Sequence, residues 1–137
     1  MRNLILTICL AATIPLASAQ ETKTPPRVSP ADAQKHPGET VTVCGKVVET
    51  MVGKYGIAQH GKPVMFYIDK PRASQVFYFV TFGSKELGPK EVLDAYTDKN
   101  VCVTGKITMS SDRAYIMADN HDNIKVQAAD APKSEAK

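Results

Sequence analysis

Three cysteines, Cys9, Cys44 and Cys102, are the residues of this 137-residue chain whose chemistry depends most on their surroundings. Cys9 lies in an apolar N-terminal segment that has the pattern of a removable leader. Once that segment is removed a pair remains, and in an oxidising compartment a pair of cysteines favours a structural disulfide. Two buried thiols are the alternative. Zinc is disfavoured because two thiolates do not complete a tetrahedral site.

The sequence contains no recognisable catalytic set. None of its serines lies in a G-x-S-x-G elbow, and there is no glycine-rich phosphate-binding loop. The densest polar cluster, Asp119 to Asn123, lacks the central glycine and closing glutamate of a calcium loop, so we interpret it as a polar turn. We therefore expect a protein that is not an enzyme and that uses neither a metal nor another cofactor.

The N-terminal segment, Met1 to Ala19, has the three parts of a secretory signal peptide. Arg2 gives a positive start, Leu4 to Leu16 is an apolar run, and Ala17-Ser18-Ala19 is a cleavage pattern. A membrane anchor would need about 20 apolar residues, and this run is shorter. We expect cleavage after Ala19 and a periplasmic or secreted protein. No other stretch is apolar enough over a sufficient length to span a membrane.

Length and charge indicate one small domain. Removing 19 of 137 residues leaves 118, which is enough for one modest core. Because Arg2 leaves with the signal, 16 basic residues face 14 acidic ones, and this slight excess says little about partners. We predict a flexible leader at residues 20–28, a domain at 29–126 and a disordered tail at 127–137.

Hydrophobic alternation predicts five main strands with a helix between the third and the fourth. The strands are predicted over residues 40–49, 64–69, 76–82, 100–109 and 113–118, with an apolar end piece at 124–126. Ser29-Pro30-Ala31-Asp32 predicts a short N-terminal helix. Gly88-Pro89 opens the second helix, which ends near Tyr96.

Two of these strands share one pattern. Val41 to Val47 and Val101 to Ile107 both read V-x-V-x-G-K-[VI], with the glycine at Gly45 and Gly105. A glycine inside a strand often marks a bend, and closing a sheet into a barrel needs bends. We therefore expect both strands to bend at the glycine while their valines keep facing the core.

Four segments resemble a family of exported bacterial OB-fold proteins, an uncharacterised family described as nucleic-acid-binding-like. The segments are Val41–Val47, Gly61–Phe66, Phe77–Val80 and Lys99–Ile107. The resemblance implies an all-β fold with one short helix. It would be a five-stranded Greek-key barrel with the helix between strands three and four, preceded by a short N-terminal helix. It supplies no catalytic signature.

The resemblance also bears on the cysteines. The first and fourth strands of an OB-fold pair antiparallel, which would make the strands of Cys44 and Cys102 neighbours. Both residues alternate with the inward valines, so parity permits a cross-strand disulfide. The strand register, which decides whether they are opposite one another, cannot be read from the sequence.

OB-folds bind ligands on the outer face of the second and third strands and on adjoining loops. Single-stranded nucleic acid is held there by aromatic stacking and basic side chains. The resemblance thus indicates a set of three tyrosines and four basic residues: Tyr55, Tyr67, Tyr78, Lys54, Lys62, Lys70 and Arg72. Tyr67 and Tyr78 would stack bases. The alternative is that the aromatic residues belong to the core and the lysines only protect strand edges from pairing.

Two functions remain open at this point. The first is a non-enzymatic, exported OB-fold module that binds single-stranded nucleic acid, which the family resemblance favours. The second is an envelope interaction or structural protein that binds a protein, peptide or glycan. Predicted export favours the second, because free nucleic acid is not the usual periplasmic cargo.

Overall fold

A computed structural model describes residues 23–83 and 88–128. The predicted signal peptide at 1–19, the start of the predicted leader at 20–22 and residues 129–137 of the predicted tail lie outside the described residues. The described part is mostly β structure with one α-helix. Its elements are β1 (Arg27–Val28), β2 (Thr40–Val52), β3 (Pro63–Ile68), β4 (Phe77–Phe82), α1 (Pro89–Tyr96), β5 (Asn100–Ser110), β6 (Arg113–Met117) and β7 (Ile124–Val126).

Five of the strands close into a ring in the order β2-β3-β4-β6-β5, and β5 pairs back with β2. The β4–β6 pairing is parallel, whereas the other four pairings are antiparallel. The short strands β1 and β7 extend the sheet beside β2 and β5. This arrangement is consistent with the OB-like all-β fold that the resemblance implies. The predicted helix between the third and fourth main strands is confirmed as α1.

The strand β2 is longer than predicted and changes partner along its length. Its first half pairs with β5 and its second half with β3, and the register with β3 shifts between Val47 and Glu49. The extra residue, Val48, is exposed. A bulge of this kind bends a strand and increases its twist. The bend allows one strand to belong to two sides of the ring.

The two glycines of the repeated pattern make the same close approach. A Cβ atom on Gly45 would overlap the Cγ2 atom of Ile68, and one on Gly105 would overlap the Cγ2 atom of Ile116. Both isoleucines are buried in the core. The valines flanking each glycine are buried as expected. Each glycine therefore admits a core isoleucine against the backbone of its strand.

The helix α1 packs its buried side chains against the strands of the ring. Tyr96 makes edge contacts with the rings of Phe66 and Phe79, at centroid distances of 5.5 and 6.3 Å. Its hydroxyl lies 3.0 Å from the Nδ1 atom of His121, whose Nε2 atom lies 2.9 Å from the Phe82 carbonyl oxygen. His121 thus joins the helix to the end of β4. The predicted polar turn is confirmed, since residues 121–123 form a 3₁₀ turn.

The N-terminal part of the domain differs from expectation in two places. Residues 27–28, the end of the predicted flexible leader, form β1 and pair in parallel with β2. Ser29 accepts a hydrogen bond from the backbone N–H of Asp32, as a capping residue does. However, the predicted helix is only a single 3₁₀ turn at Ala33–Lys35. Pro37-Gly38 follows directly, and Gly38 has a positive φ that a helix cannot continue through.

The pairing of β2 with β5 closes the ring and places the two cysteines opposite one another. Cys44 is the register partner of Cys102, and a disulfide joins them. Thr42 and Thr104 form the paired position two residues away on the same face of the sheet, and their hydroxyls are hydrogen-bonded at 2.8 Å. The disulfide is compatible with an oxidising environment.

Candidate ligand-binding face

Three tyrosines stand in a row across the outer face of the ring. Tyr67 of β3 is the register partner of Tyr78 of β4, and Tyr78 is the partner of Tyr115 of β6. The rings of Tyr78 and Tyr115 are stacked at 5.3 Å with 17° between their planes, and those of Tyr67 and Tyr78 are 5.7 Å apart and tilted. We call these three residues the tyrosine row.

The members of the row are not equally accessible. Tyr67 is only 2% exposed, and its hydroxyl points toward the sulfur of Met65 at 3.9 Å. Tyr78 and Tyr115 are partly exposed. The partly exposed rings are the ones that offer surface to a ligand. Tyr67 packs beside Tyr78 and is too buried to stack a base, although the sequence had suggested it as a stacking residue.

Burial raises the pKa of two phenols of the row, those of Tyr67 and Tyr78. For Tyr67, burial is the largest effect and raises the pKa. The carboxylate of Glu49 raises this pKa further, and the guanidinium groups of Arg72 and Arg113 partly offset the rise. Burial also raises the pKa of Tyr78, with the neighbouring Tyr115 adding to the effect. The side chains of Tyr67 and Tyr78 are therefore uncharged at neutral pH, and charged groups lie at the edge of the row.

Those charged groups line an open cleft of about 450 Å³, formed by Glu49, Arg72, Ala73 and Arg113. Glu49 lies on β2 directly beside Tyr67, whose neighbour on β4 is Tyr78. The turn after β3 carries Arg72, and its backbone N–H donates a 2.7 Å hydrogen bond to the Oε2 atom of Glu49. This bond fixes the turn against β2, so the cleft has a defined wall.

Two arginines thus flank a neutral aromatic row. Arg72 comes from the β3–β4 turn and Arg113 from the start of β6, and both side chains act electrostatically on Tyr67. Guanidinium groups bind phosphates and carboxylates through paired hydrogen bonds and stack well on aromatic rings. The site can therefore hold a ligand that combines a flat ring with an anionic group.

The other predicted site residues are divided between two places. Lys70 lies in the same turn as Arg72 and is exposed. Lys54, Tyr55 and Lys62 lie on the loop of residues 53–62 between β2 and β3, which leads into the opposite end of β3. Pro63 at that end is four residues from Tyr67, or about 13 Å along a strand. The structure therefore does not bring the seven residues together into one site.

Sequence reasoning missed three members of the site: Tyr115, Arg113 and Glu49. Tyr115 joins the row only because β6 pairs in parallel with β4, its non-sequential neighbour. The alternation of Ala114 and Ile116, both buried, with Tyr115 was a signal that this tyrosine faces outward. Nothing in the sequence indicated that β6, which carries Tyr115, would pair with β4.

A second row runs parallel to the tyrosines and is apolar. It is made up of Met51, Met65, Val80 and Met117, which are successive register partners on β2, β3, β4 and β6. Met117 is 43% exposed and Val80 is nearly buried. Methionine side chains adapt to irregular partners. The outer face thus continues as an apolar surface beyond the tyrosines.

Across residues 23–83 and 88–128, no group of three histidine, cysteine, aspartate or glutamate side chains is placed to hold a metal ion. Over those same residues, the one helix is too short to cross a membrane.

Comparison with known proteins finds likeness only among solved structures. No protein-family model matches the chain, and no curated protein matches it. A structure of RecG bound to a three-way DNA junction aligns with 74% of this chain, at 22% identity and a TM-score of 0.49. A putative aspartyl-tRNA synthetase from Leishmania major Friedlin aligns with 82%, at 12% identity and a TM-score of 0.45. This chain spans only 12% and 22% of the lengths of those two proteins.

Proposed function

We propose that the tyrosine row and the arginine cleft bind single-stranded nucleic acid, and that the protein acts as an exported binding module without catalysis. The observation that carries the proposal is the stacked Tyr78–Tyr115 pair with Arg72 and Arg113 at its edge. Single strands are held by aromatic platforms combined with basic side chains, largely without regard to sequence. The predicted leader and the disulfide support export.

The stacking surface in this proposal is Tyr115. One face of its ring is covered by Tyr78, and the next residue across the sheet is Thr108 of β5, which is small and exposed. A base can therefore stack on the remaining face of Tyr115, above Thr108. Arg113, two residues earlier on the same strand, then lies within reach of the adjoining phosphate.

The carboxylate of Glu49 favours a second candidate. An acidic group in the cleft repels phosphate, but it accepts hydrogen bonds from hydroxyl, amide or guanidinium donors. A glycan or a basic peptide would supply such donors and could still pack on the tyrosine rings. The second candidate is therefore an envelope interaction protein that uses the same face.

Fluorescence anisotropy with labelled single-stranded DNA and RNA, at two salt concentrations, tests the first candidate. We expect binding at low salt that weakens as salt rises, because phosphate contacts release counterions. Tyr115→Leu should weaken binding by about 1 to 3 kcal/mol, the range found for one stacked base. Tyr55→Leu is the matched control, since Tyr55 lies on the loop at the other end of β3.

The outcomes separate the two candidates. Absence of binding to DNA and RNA at low salt would overturn the nucleic-acid proposal. Binding to a glycan or peptide array that is lost in Tyr115→Leu would instead support the second candidate. Equal losses in Tyr115→Leu and Tyr55→Leu would show that the ligand does not select the tyrosine row.

A further inference from the structure

The loop of residues 53–62 exposes apolar side chains on a part of the chain that the proposed function does not use. Tyr55 is 75% exposed and Ile57 is 46% exposed, and Val52 at the end of β2 is 38% exposed. Among the described residues, six large hydrophobic side chains are exposed, and these are three of them. They fall within six consecutive positions, which is a concentration that isolated surface hydrophobics do not show.

The charge of this loop has one sign. Between Glu49 and Asp69 the sequence has no acidic residue, and its only fully charged side chains there are Lys54 and Lys62. Both lysines are exposed. The Nζ atom of Lys54 lies 5.7 Å from the centre of the Tyr55 ring. The loop therefore presents an amphipathic ring and an aliphatic side chain between two cations.

The loop is held to the closed sheet of strands at both of its ends. The ring of His60 packs on that of Phe82 at 5.1 Å. The backbone N–H of Gly53 donates to the Pro63 carbonyl at 2.7 Å, and that of Ile57 donates to the Gly61 carbonyl at 2.8 Å. The exposed side chains are thus presented by a closed loop. Their exposure is a feature of the fold.

We propose that this loop docks the protein on an anionic lipid surface. Tyrosine places its ring at the headgroup level, aliphatic side chains enter the acyl boundary, and lysines keep their charge in the headgroups while their stems lie along apolar material. Nucleic acid fits the loop less well, because an exposed isoleucine offers no ring for stacking. The inference is independent of the proposed function.

The absence of tryptophan from the sequence makes a site-specific test available. Tyr55→Trp introduces a single fluorophore at the loop while retaining an amphipathic ring. Val126→Trp on β7 is the matched control, at a position 48% exposed and outside the loop. Each variant of the full chain is titrated with vesicles of phosphatidylcholine alone and of phosphatidylcholine with 30% phosphatidylglycerol. Because the signal reports one position, contact made by other parts of the chain does not obscure it.

We expect a blue shift for Tyr55→Trp with the anionic vesicles and none for Val126→Trp. Adding Lys54→Gln and Lys62→Gln to the Tyr55→Trp chain should raise the lipid concentration needed by about 25-fold, since each lysine near an anionic surface contributes roughly a fivefold factor.

Three results would overturn the inference. They are no shift with anionic vesicles, an equal shift for Val126→Trp, and a response to single-stranded oligonucleotide in place of vesicles. The last would assign the loop to nucleic acid. Because the tyrosine row is unchanged in all these variants, oligonucleotide binding measured by anisotropy tests the proposed function separately.

Discussion

Cys44 lies directly opposite Cys102 where β2 pairs with β5, and the Cα atoms of the two residues are 4.0 Å apart. The bond joins residues that are 58 positions apart in the chain. Constraining a loop of that length in the unfolded state stabilises the fold by about 4 kcal/mol on the chain-entropy model. For a domain of this size that is a large share of the net stability.

The first prediction concerns this disulfide. The double variant Cys44→Ala, Cys102→Ala should lose about 4 kcal/mol of unfolding free energy, measured by urea denaturation. The wild-type chain in reductant should show a similar loss. Replacing the neighbouring pair by Thr42→Val and Thr104→Val should cost only about 1 kcal/mol. A reduced chain as stable as the oxidised one would contradict the prediction.

The second prediction concerns the close approach of Gly105 to Ile116. Gly105→Ala should destabilise the protein by about 1 to 3 kcal/mol, because the added Cβ displaces a buried isoleucine. Gly56→Ala is the control, since its nearest atoms are at 3.4 Å, an ordinary contact distance. Combining Gly105→Ala with Ile116→Ala should cost less than the sum of the two single losses. Simple additivity would show that the two residues do not compete for space.

The third prediction concerns stability at high pH. Burial raises the pKa of Tyr67, Tyr78 and Tyr96 in the folded state above the ordinary phenol value of 10.0. The stabilisation linked to these neutral phenols is complete below pH 10. It is lost as the pH rises through the folded-state pKa values, because the unfolded tyrosines release protons first.

The corresponding measurement is the free energy of unfolding from urea denaturation at several pH values from about 8 to 11. Tyr78→Phe should make the decline above pH 10 shallower by at most about 1.4 kcal/mol per pH unit, the limit for one titrating group. Below pH 9 the profiles of wild type and variant should run parallel. An unchanged decline in the variant would mean that Tyr78 ionises alike in the folded and unfolded chains.

The fourth prediction concerns the arginine cleft. Arg72→Gln and Arg113→Gln should each reduce the slope of log affinity against log salt by about 0.7, the value for one phosphate contact on a single strand. Lys125→Gln removes the same charge from β7, away from the tyrosine row, and should leave the slope unchanged. Equal effects at all three positions would indicate a diffuse charge contribution without a phosphate site.

The positions of strands and core residues were predictable because they depend on alternation along the chain. Val41, Val43 and Val47 are buried as their spacing indicates, and α1 begins at Pro89 as its sequence indicates. The continuation of β2 to Val52 was missed because a bulge reverses the alternation after Val47. A single inserted residue is not visible in a period-two pattern.

The candidate site was less predictable, because its composition depends on which strands are neighbours. Tyr67 and Tyr78 come from consecutive strands and were identified, whereas Tyr115 enters through the parallel pairing of β4 with β6. Burial of Tyr67 is likewise a tertiary property. Strand parity tells which face a side chain occupies. It does not say what lies beside it or how much covers it.

The two glycine–isoleucine contacts lie in two similar hairpins of the ring, β2–β3 and β5–β6, and β4 is the fifth strand. Within each hairpin the paired residues are close in sequence, as with Val52 and Val64 or Ser110 and Arg113. The pairing that joins the hairpins, β2 with β5, links residues 58 positions apart at the disulfide. Closing a long loop costs more entropy than closing a short one. In the reduced chain, which lacks the cross-link, the hairpins should therefore form early and the β2–β5 pairing last.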